Sequence, residues 1–223
     1  MVQGIWHSLE LAFSDRGGSA GLFFRVVTRY LDLIIVPWIA PAEAVAIYMT
    51  ARGISLCLPL SLFCLECRAE PRLRVLYENG QPLPFQAAAA RINLGYLLIC
   101  GAVALVVVSC AGYVSAALGI GNQNFIDVLR WLVLGQCASI LFGATSLLMR
   151  VVERGRFYDM LQSVTAGLFL IAVAGLNASS PVLIAQALAV SQLTLAAACA
   201  LLLTQSGIWP GLTALFHKDI TLF

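Results

Sequence analysis

The chain has 223 residues, of which 61% are hydrophobic and 11% are charged, and its mean hydropathy is +0.91. A water-soluble domain carries about 25% charged residues to keep its surface hydrated. The composition therefore excludes a soluble globular protein and predicts lipid as the main solvent. The formal net charge of +2 is too small to indicate a nucleic-acid partner.

Six apolar runs are long enough to cross a bilayer, which takes about 20 mostly apolar residues per helix. They show no two-residue alternation, and backbone groups in lipid must bond internally, so helices are favoured over strands. The runs are Ala20–Ala40, Ala44–Leu65, Leu94–Leu118, Trp131–Met149, Met160–Leu176 and Val182–Thr204. We predict an all-α, polytopic transmembrane bundle of about six helices over residues 20–205, with an N-terminal segment 1–19 and a tail 206–223.

Basic residues alternate between the two sides of these predicted spans. Arginines cluster between the second and third spans and again between the fourth and fifth, whereas the alternate connections have none: Pro41–Glu43, Gly119–Asp127 and Asn177–Pro181. The positive-inside rule then predicts that both termini and both arginine-rich connections are cytoplasmic.

The connection over residues 68–91 mixes charged and apolar residues at helical spacing and reaches a stop signal at Asn79-Gly80. This pattern predicts an amphipathic helix at the cytoplasmic face with a glycine C-cap. Its arginines are interpreted first as topology signals that bind anionic lipid, and second as a specific ligand site.

The sequence contains no recognisable enzyme or metal motif. The two histidines, His7 and His217, are terminal, and Cys64-Leu-Glu-Cys67 has neither a second pair nor a nearby histidine. We expect no enzymatic activity, no metal and no cofactor.

Charged residues inside the first two predicted spans are the candidate functional residues. Arg25, Arg29 and Asp32 follow one another at helical spacing, which places them on one face of the first span. Each costs about 2.5–3.5 kcal/mol near the bilayer centre, so that face should line protein or a watery cavity. Arg52 and Asp32 both lie about ten residues from the turn near Pro41, hence at similar depth. We predict that they pair or share a polar cavity, with a purely structural ion pair as the alternative.

Two stretches of the sequence carry a family resemblance. One runs from Arg29 to Arg52, with an aspartate midway along a helix, a Pro/Glu turn at Pro41–Glu43 and a helix start containing Tyr48. The other runs from Val128 through Gly135-Gln136 and Phe142-Gly143 to Val152-Glu-Arg-Gly-Arg156. Together they resemble the multidrug/oligosaccharidyl-lipid/polysaccharide exporter superfamily, in particular its lipid-linked oligosaccharide flippases, over roughly residues 22–205.

The resemblance implies a fold and a function. Such flippases have two pseudo-symmetric six-helix lobes around a cation-rich cavity, and they move undecaprenyl-diphosphate-linked sugars across the bacterial inner membrane by alternating access. This chain is similar to the second of the two lobes. The resemblance therefore implies that the other lobe is supplied by another copy in a homo-oligomer or by a partner chain. It departs from the family at Ala144-Thr-Ser, where a proline-containing run is usual, and at Val152-Glu-Arg-Gly, where Gly-His-Glu-Arg is usual.

The implied function gives the charged residues roles. Arg25, Arg29 and Arg52 are predicted to bind the diphosphate of a lipid-linked oligosaccharide, because arginine forks match phosphate oxygens. Asp32 is predicted to be their counter-charge or a coupling site. A multidrug-type cation antiporter of the same superfamily, or an accessory or truncated membrane subunit without transport activity, is the alternative.

Overall fold

The computed structural model describes residues 27–119, 123–175, 180–208 and 210. Its elements are helices throughout, so the predicted all-α class is confirmed for the part of the chain described. The helices are α1 Leu31–Ile39, α2 Ala42–Ser55, α3 Cys57–Glu78, α4 Pro82–Ala117, α5 Gln123–Leu141, α6 Thr145–Val151, α7 Gly155–Gly175 and α8 Pro181–Gln205.

Four stretches of the described chain are long and apolar enough to cross a membrane. They are Ala42–Glu78 (α2 continuing into α3), α4, α7 and α8. These stretches match the second, third, fifth and sixth predicted spans, except that α4 ends one residue before Leu118 and residue 176 of the fifth span lies outside the described residues. Length and apolarity together indicate a membrane protein.

The fourth predicted span, Trp131–Met149, has the wrong boundaries. Helix α5 begins earlier, at Gln123, and ends at Leu141, before the short helix α6 begins at Thr145. Gly143 lies between them with a φ of 80°, a left-handed conformation that an α-helix cannot contain. The hydropathy of the run does not reveal this break, because the residues on both sides are apolar.

Of the first predicted span, Ala20–Ala40, the described part begins at Val27. Tyr30 lies outside regular helix, with φ −115° and ψ 25°, and α1 begins at Leu31 and covers only nine residues. The predicted N-terminal segment 1–19 lies outside the described residues, as do residues 20–26 of this span. Of the predicted tail 206–223, only residues 206–208 and 210 are described.

The α2–α3 pair is nearly continuous, with one break at Leu56. Pro59 is the cause, since its ring displaces the carbonyl of Ser55 and offers no amide hydrogen to it. Beyond the break, α3 runs on to Glu78. Helix is therefore present where the amphipathic helix was predicted within residues 68–91, as far as Glu78. It is the continuation of the membrane-length stretch Ala42–Glu78 rather than a separate surface helix.

The predicted helix stop at Asn79-Gly80 is confirmed. Gly80 has a φ of 60°, and its amide donates to the Tyr77 carbonyl at 3.0 Å while that of Gln81 donates to the Leu76 carbonyl at 3.1 Å. These two bonds form a Schellman motif. Pro82 then occupies the first turn of α4, where its missing amide hydrogen costs nothing. The result is a tight antiparallel α3–α4 hairpin.

Helix α5 occupies the interior of the bundle and packs on α2, α4 and above all α8. Its closest approach is at Gly135, where a Cβ atom would lie 2.6 Å from the Cα of Ala189. Small residues permit this kind of close packing between helices in lipid. The outer face of α4 is the opposite case, since Leu98, Leu105 and Val106 are more than 60% exposed to whatever surrounds the protein.

Candidate functional site

A partly open cavity of about 230 Å³ lies inside the helical bundle, and each of the eight described helices contributes to its wall. Its lining is unusually polar for a protein with so few charged residues. The charged side chains that line it are Arg29, Asp32, Arg52 and Glu66, and three glutamines join them: Gln136, Gln162 and Gln192.

An ion pair between Asp32 of α1 and Arg52 of α2 lies in this wall. Arg52 Nε is 2.8 Å from Asp32 Oδ2, and the two side chains are 4% and 1% exposed. The Tyr48 hydroxyl, one turn earlier on α2, donates to the same oxygen at 2.9 Å. The pairing predicted from the hairpin geometry is therefore present, because the turn at Pro41 brings the two helices together at equal depth.

Gln136 extends this ion pair to the interior helix α5. With its carboxamide oxygen facing α2, that oxygen accepts from Arg52 Nη1 at 2.9 Å, and the amide nitrogen donates to the Ser55 carbonyl at 2.9 Å. Helices α1, α2 and α5 are thus joined by one polar network. From the sequence, Gln136 is recognisable only as part of a Gly-Gln motif, and no local pattern indicates this contact.

The two oxygens of the Asp32 carboxylate have different surroundings. Oδ2 accepts from both Tyr48 and Arg52, whereas Oδ1 is buried without a hydrogen-bond partner among the described residues. Burying an acceptor in this way costs free energy. The cavity wall therefore contains one strong acceptor that a proton, a cation or a donor group could satisfy.

A second polar cluster centres on Glu66 of α3, a residue that no sequence pattern marks as functional. Glu66 Oε1 accepts from the Tyr96 hydroxyl of α4 at 2.5 Å, and Glu66 Oε2 lies 2.7 Å from Arg150 Nη2 of α6. Glu70 also faces that guanidinium nitrogen, at 3.7 Å. Burial lowers the pKa of Arg150, but the hydrogen bond to Glu66 and the charges of both carboxylates outweigh it and raise that pKa.

The predicted site residues are only partly brought together. Arg25 lies outside the described residues. Arg29 lines the cavity but is exposed, with its guanidinium carbon 6.0 Å from the centroid of the Tyr30 ring. It forms no ion pair with a described carboxylate. The expected common face of Arg29 and Asp32 is interrupted at Tyr30, where the backbone departs from the helix.

The charge of the cavity differs from the cation-rich lining that the family resemblance implies. Among the described lining residues, two arginines are balanced by two carboxylates. Arg52 is already engaged by Asp32, so Arg29 is the described lining arginine that is not held in an ion pair. No group of three or more histidine, cysteine, aspartate or glutamate residues in the described chain could hold a metal ion.

Comparison with protein families, curated proteins and solved structures finds no relative of this chain. The family resemblance therefore rests on the sequence motifs alone.

Proposed function

We propose that this chain is one lobe of a bacterial inner-membrane transporter and that it translocates a lipid-linked oligosaccharide through the cavity inside its bundle. The observation that carries the proposal is the polar wall of that cavity, with its buried Asp32–Arg52 pair, inside a bundle whose membrane-length helices expose many large apolar side chains. The chain is proposed as a transport subunit rather than an enzyme.

The energetic cost of the polar wall supports a transport role. Each charged side chain placed within the bilayer costs about 2.5–3.5 kcal/mol on insertion scales, and apolar packing alone would hold the helices together more cheaply. Asp32, Arg52 and Glu66 all lie on helices that cross or approach the membrane interior. Charged residues in such positions mark substrate or ion pathways in membrane proteins.

The proposed substrate class depends on the arginines. A diphosphate needs cationic donors along its path, and the planar fork of arginine suits it. Arg29 is the described cavity arginine free of an ion pair, and Arg25 is proposed to bind the diphosphate as well. A diphosphate entering the cavity would compete with Asp32 for Arg52, which would couple substrate binding to the contact between α1 and α2.

The proposed topology retains six spans with both termini in the cytoplasm. Helix α5 serves as the fourth span; it packs on α2, α4 and α8, and its Gln136 faces α2 in the cavity wall. Ala20–Ala40 stays the proposed first span. The cavity inside this lobe is proposed as one half of the transport pathway, and a second copy or a partner chain is proposed to supply the other half.

A complementation assay tests the function directly. The chain is expressed, with its partner chain where one is encoded nearby, in a bacterial strain whose own lipid-linked oligosaccharide flippase is deleted, and surface glycan is measured. We expect Arg29→Gln to reduce glycan export while Arg156→Gln does not, because Arg156 is an exposed arginine outside the cavity. Equal export by the Arg29 variant and the wild type would contradict the diphosphate role.

A cation-coupled multidrug antiporter is the second candidate, and the unpartnered Asp32 Oδ1 favours it. In proteoliposomes that hold a proton gradient, this function predicts drug efflux that collapses the gradient and is lost in Asp32→Asn. Glycan export without drug-dependent proton flux favours the flippase. Absence of both activities, with normal folding and membrane insertion, would identify an accessory subunit.

A further inference from the structure

A groove between α3 and α4, on the hairpin rather than in the central cavity, carries three arginines. It has a volume of about 460 Å³, and Arg68 and Arg72 of α3 face Arg91 of α4 across it. Residues 68 and 72 are one helical turn apart, so both side chains lie on the same face of α3. The groove is therefore a convergence of three cations on two antiparallel helices.

These three arginines are exposed and form no ion pair with a described carboxylate, whereas Glu66, Glu70 and Arg74 nearby are paired. Glu66 and Glu70 are turned toward Arg150, and Arg74 lies 3.8 Å from Glu70. Glu66 and Glu70 are thus directed to other partners, and Glu78 does not line the groove. Three positive charges remain in the groove without a neutralising group from the described part of the chain.

The floor of the groove is apolar and built from small or aliphatic side chains. It is formed by Leu65, Ala69, Pro84, Ala87, Ala88 and Ile92. Arginines that are only hydrated by water do not need an apolar surface beside them. A floor of this kind suits acyl chains or a glycerol backbone lying beneath an anionic headgroup.

The position along the helices fits the membrane surface. On α3 the arginines begin three residues after Leu65, the end of the second apolar run, and on α4 Arg91 precedes the third apolar run, Leu94–Leu118. The guanidinium groups therefore lie where hydrocarbon gives way to headgroups. A cluster of basic residues in that position attracts anionic lipid.

We propose that the groove is a binding site for an anionic phospholipid, whose phosphate is held by Arg68, Arg72 and Arg91 and whose chains lie on the apolar floor. Arginine forks form paired hydrogen bonds to phosphate oxygens. The lipid belongs to the leaflet on the arginine-rich side of the membrane. This site does not depend on what the central cavity transports.

The test measures lipid retained by the full chain. The protein is purified in detergent, incubated with equal amounts of phosphatidylglycerol and phosphatidylcholine, and analysed by native mass spectrometry. We expect the wild type to prefer phosphatidylglycerol by about tenfold or more, as three interfacial cations imply. The triple variant Arg68→Gln/Arg72→Gln/Arg91→Gln is expected to lose this preference.

A matched variant separates the groove from general charge. Arg74→Gln/Arg154→Gln/Arg156→Gln removes the same number of charges, and none of these residues lines the groove. This variant is expected to prefer phosphatidylglycerol over phosphatidylcholine as strongly as the wild type does. A triple lysine variant at positions 68, 72 and 91 keeps the charges and should retain a partial preference, which shows that the groove still folds.

Four outcomes would overturn the proposal. They are unchanged lipid preference in the groove variant, equal loss in the matched variant, no headgroup preference in the wild type, and displacement of phosphatidylglycerol by an equal concentration of inorganic phosphate. The last outcome would identify the groove as a site for a soluble phosphate compound.

Discussion

Arg52 Nε lies 2.8 Å from Asp32 Oδ2, with both side chains almost completely buried. This contact joins α1 to α2 over a separation of twenty residues in the chain. A buried ion pair contributes little net stability over an apolar pair of the same shape, yet removing one partner leaves a buried charge uncompensated. Its value to the protein is therefore to hold α1 in one position against the cavity.

We predict an asymmetric response to mutation of this pair. Asp32→Ala leaves the Arg52 guanidinium buried without its main partner and should lower the free energy of unfolding by about 3–5 kcal/mol. Asp32→Ala combined with Arg52→Met should cost less than the sum of the two single changes. Denaturant unfolding in detergent measures all three, and strictly additive effects would contradict the ion pair.

Gly135 should not tolerate a methyl group. Alanine at this position would place its Cβ 2.6 Å from the Cα of Ala189, so α5 and α8 would have to separate. Overpacking of this kind costs about 1–3 kcal/mol. Thermal unfolding of Gly135→Ala in detergent measures this loss of stability.

The control for this change is Gly101→Ala on α4, where nothing lies within 4 Å of the added Cβ. That variant should be unchanged or stabilised by up to about 1 kcal/mol, because alanine favours helix more than glycine does. If Gly135→Ala and Gly101→Ala change the unfolding temperature equally, that result would contradict the close contact between α5 and α8.

Tyr96 should be needed to satisfy Glu66. Tyr96→Phe removes the donor to the Glu66 carboxylate and is expected to destabilise the protein by about 1.5–3 kcal/mol, the range for hydrogen bonds to charged groups. Tyr113→Phe on the same helix is the control, since Tyr113 is 81% exposed. Unfolding curves of the two variants should differ clearly, and identical curves would count against the Glu66 cluster.

Glu153 occupies a conformation that suits glycine. Its φ is 59°, and the Arg154 amide donates to the Met149 carbonyl at 2.9 Å, as in a Schellman motif closing α6. A left-handed non-glycine residue costs about 1–2 kcal/mol, so Glu153→Gly should raise the unfolding temperature.

The converse change is Gly80→Ala, where φ is 60° and the same strain would be introduced. It should lower the unfolding temperature. A lower unfolding temperature for Glu153→Gly would show that the glutamate side chain contributes an interaction that outweighs the strain.

The sequence alone was sufficient for the features that depend on local rules. Apolar length predicts the four stretches that are long enough to span a membrane, and glycine conformation predicts the end of α3 at Gly80. The Asp32–Arg52 contact is also predictable, because a tight turn near Pro41 makes equal sequence distance equal depth. Six spans, the membrane orientation and the transported substrate stay predictions.

Local rules were insufficient where chain segments far apart in sequence meet. Glu66 and Arg150 are separated by 84 residues, and no local pattern connects an acidic residue on α3 with an arginine assigned to topology. The end of α5 at Leu141 could not be predicted either, because the hydropathy of the sequence is continuous through the break at Gly143.

The sequence by itself determined that this protein is helical and suited to lipid, because hydrophobic length and internal backbone bonding are properties of each segment alone. Only the tertiary structure decided which charges pair, which stay unpaired in the α3–α4 groove, and how the cavity is lined. Those features depend on the packing of whole helices against one another, and close approaches such as Gly135 on Ala189 set that packing.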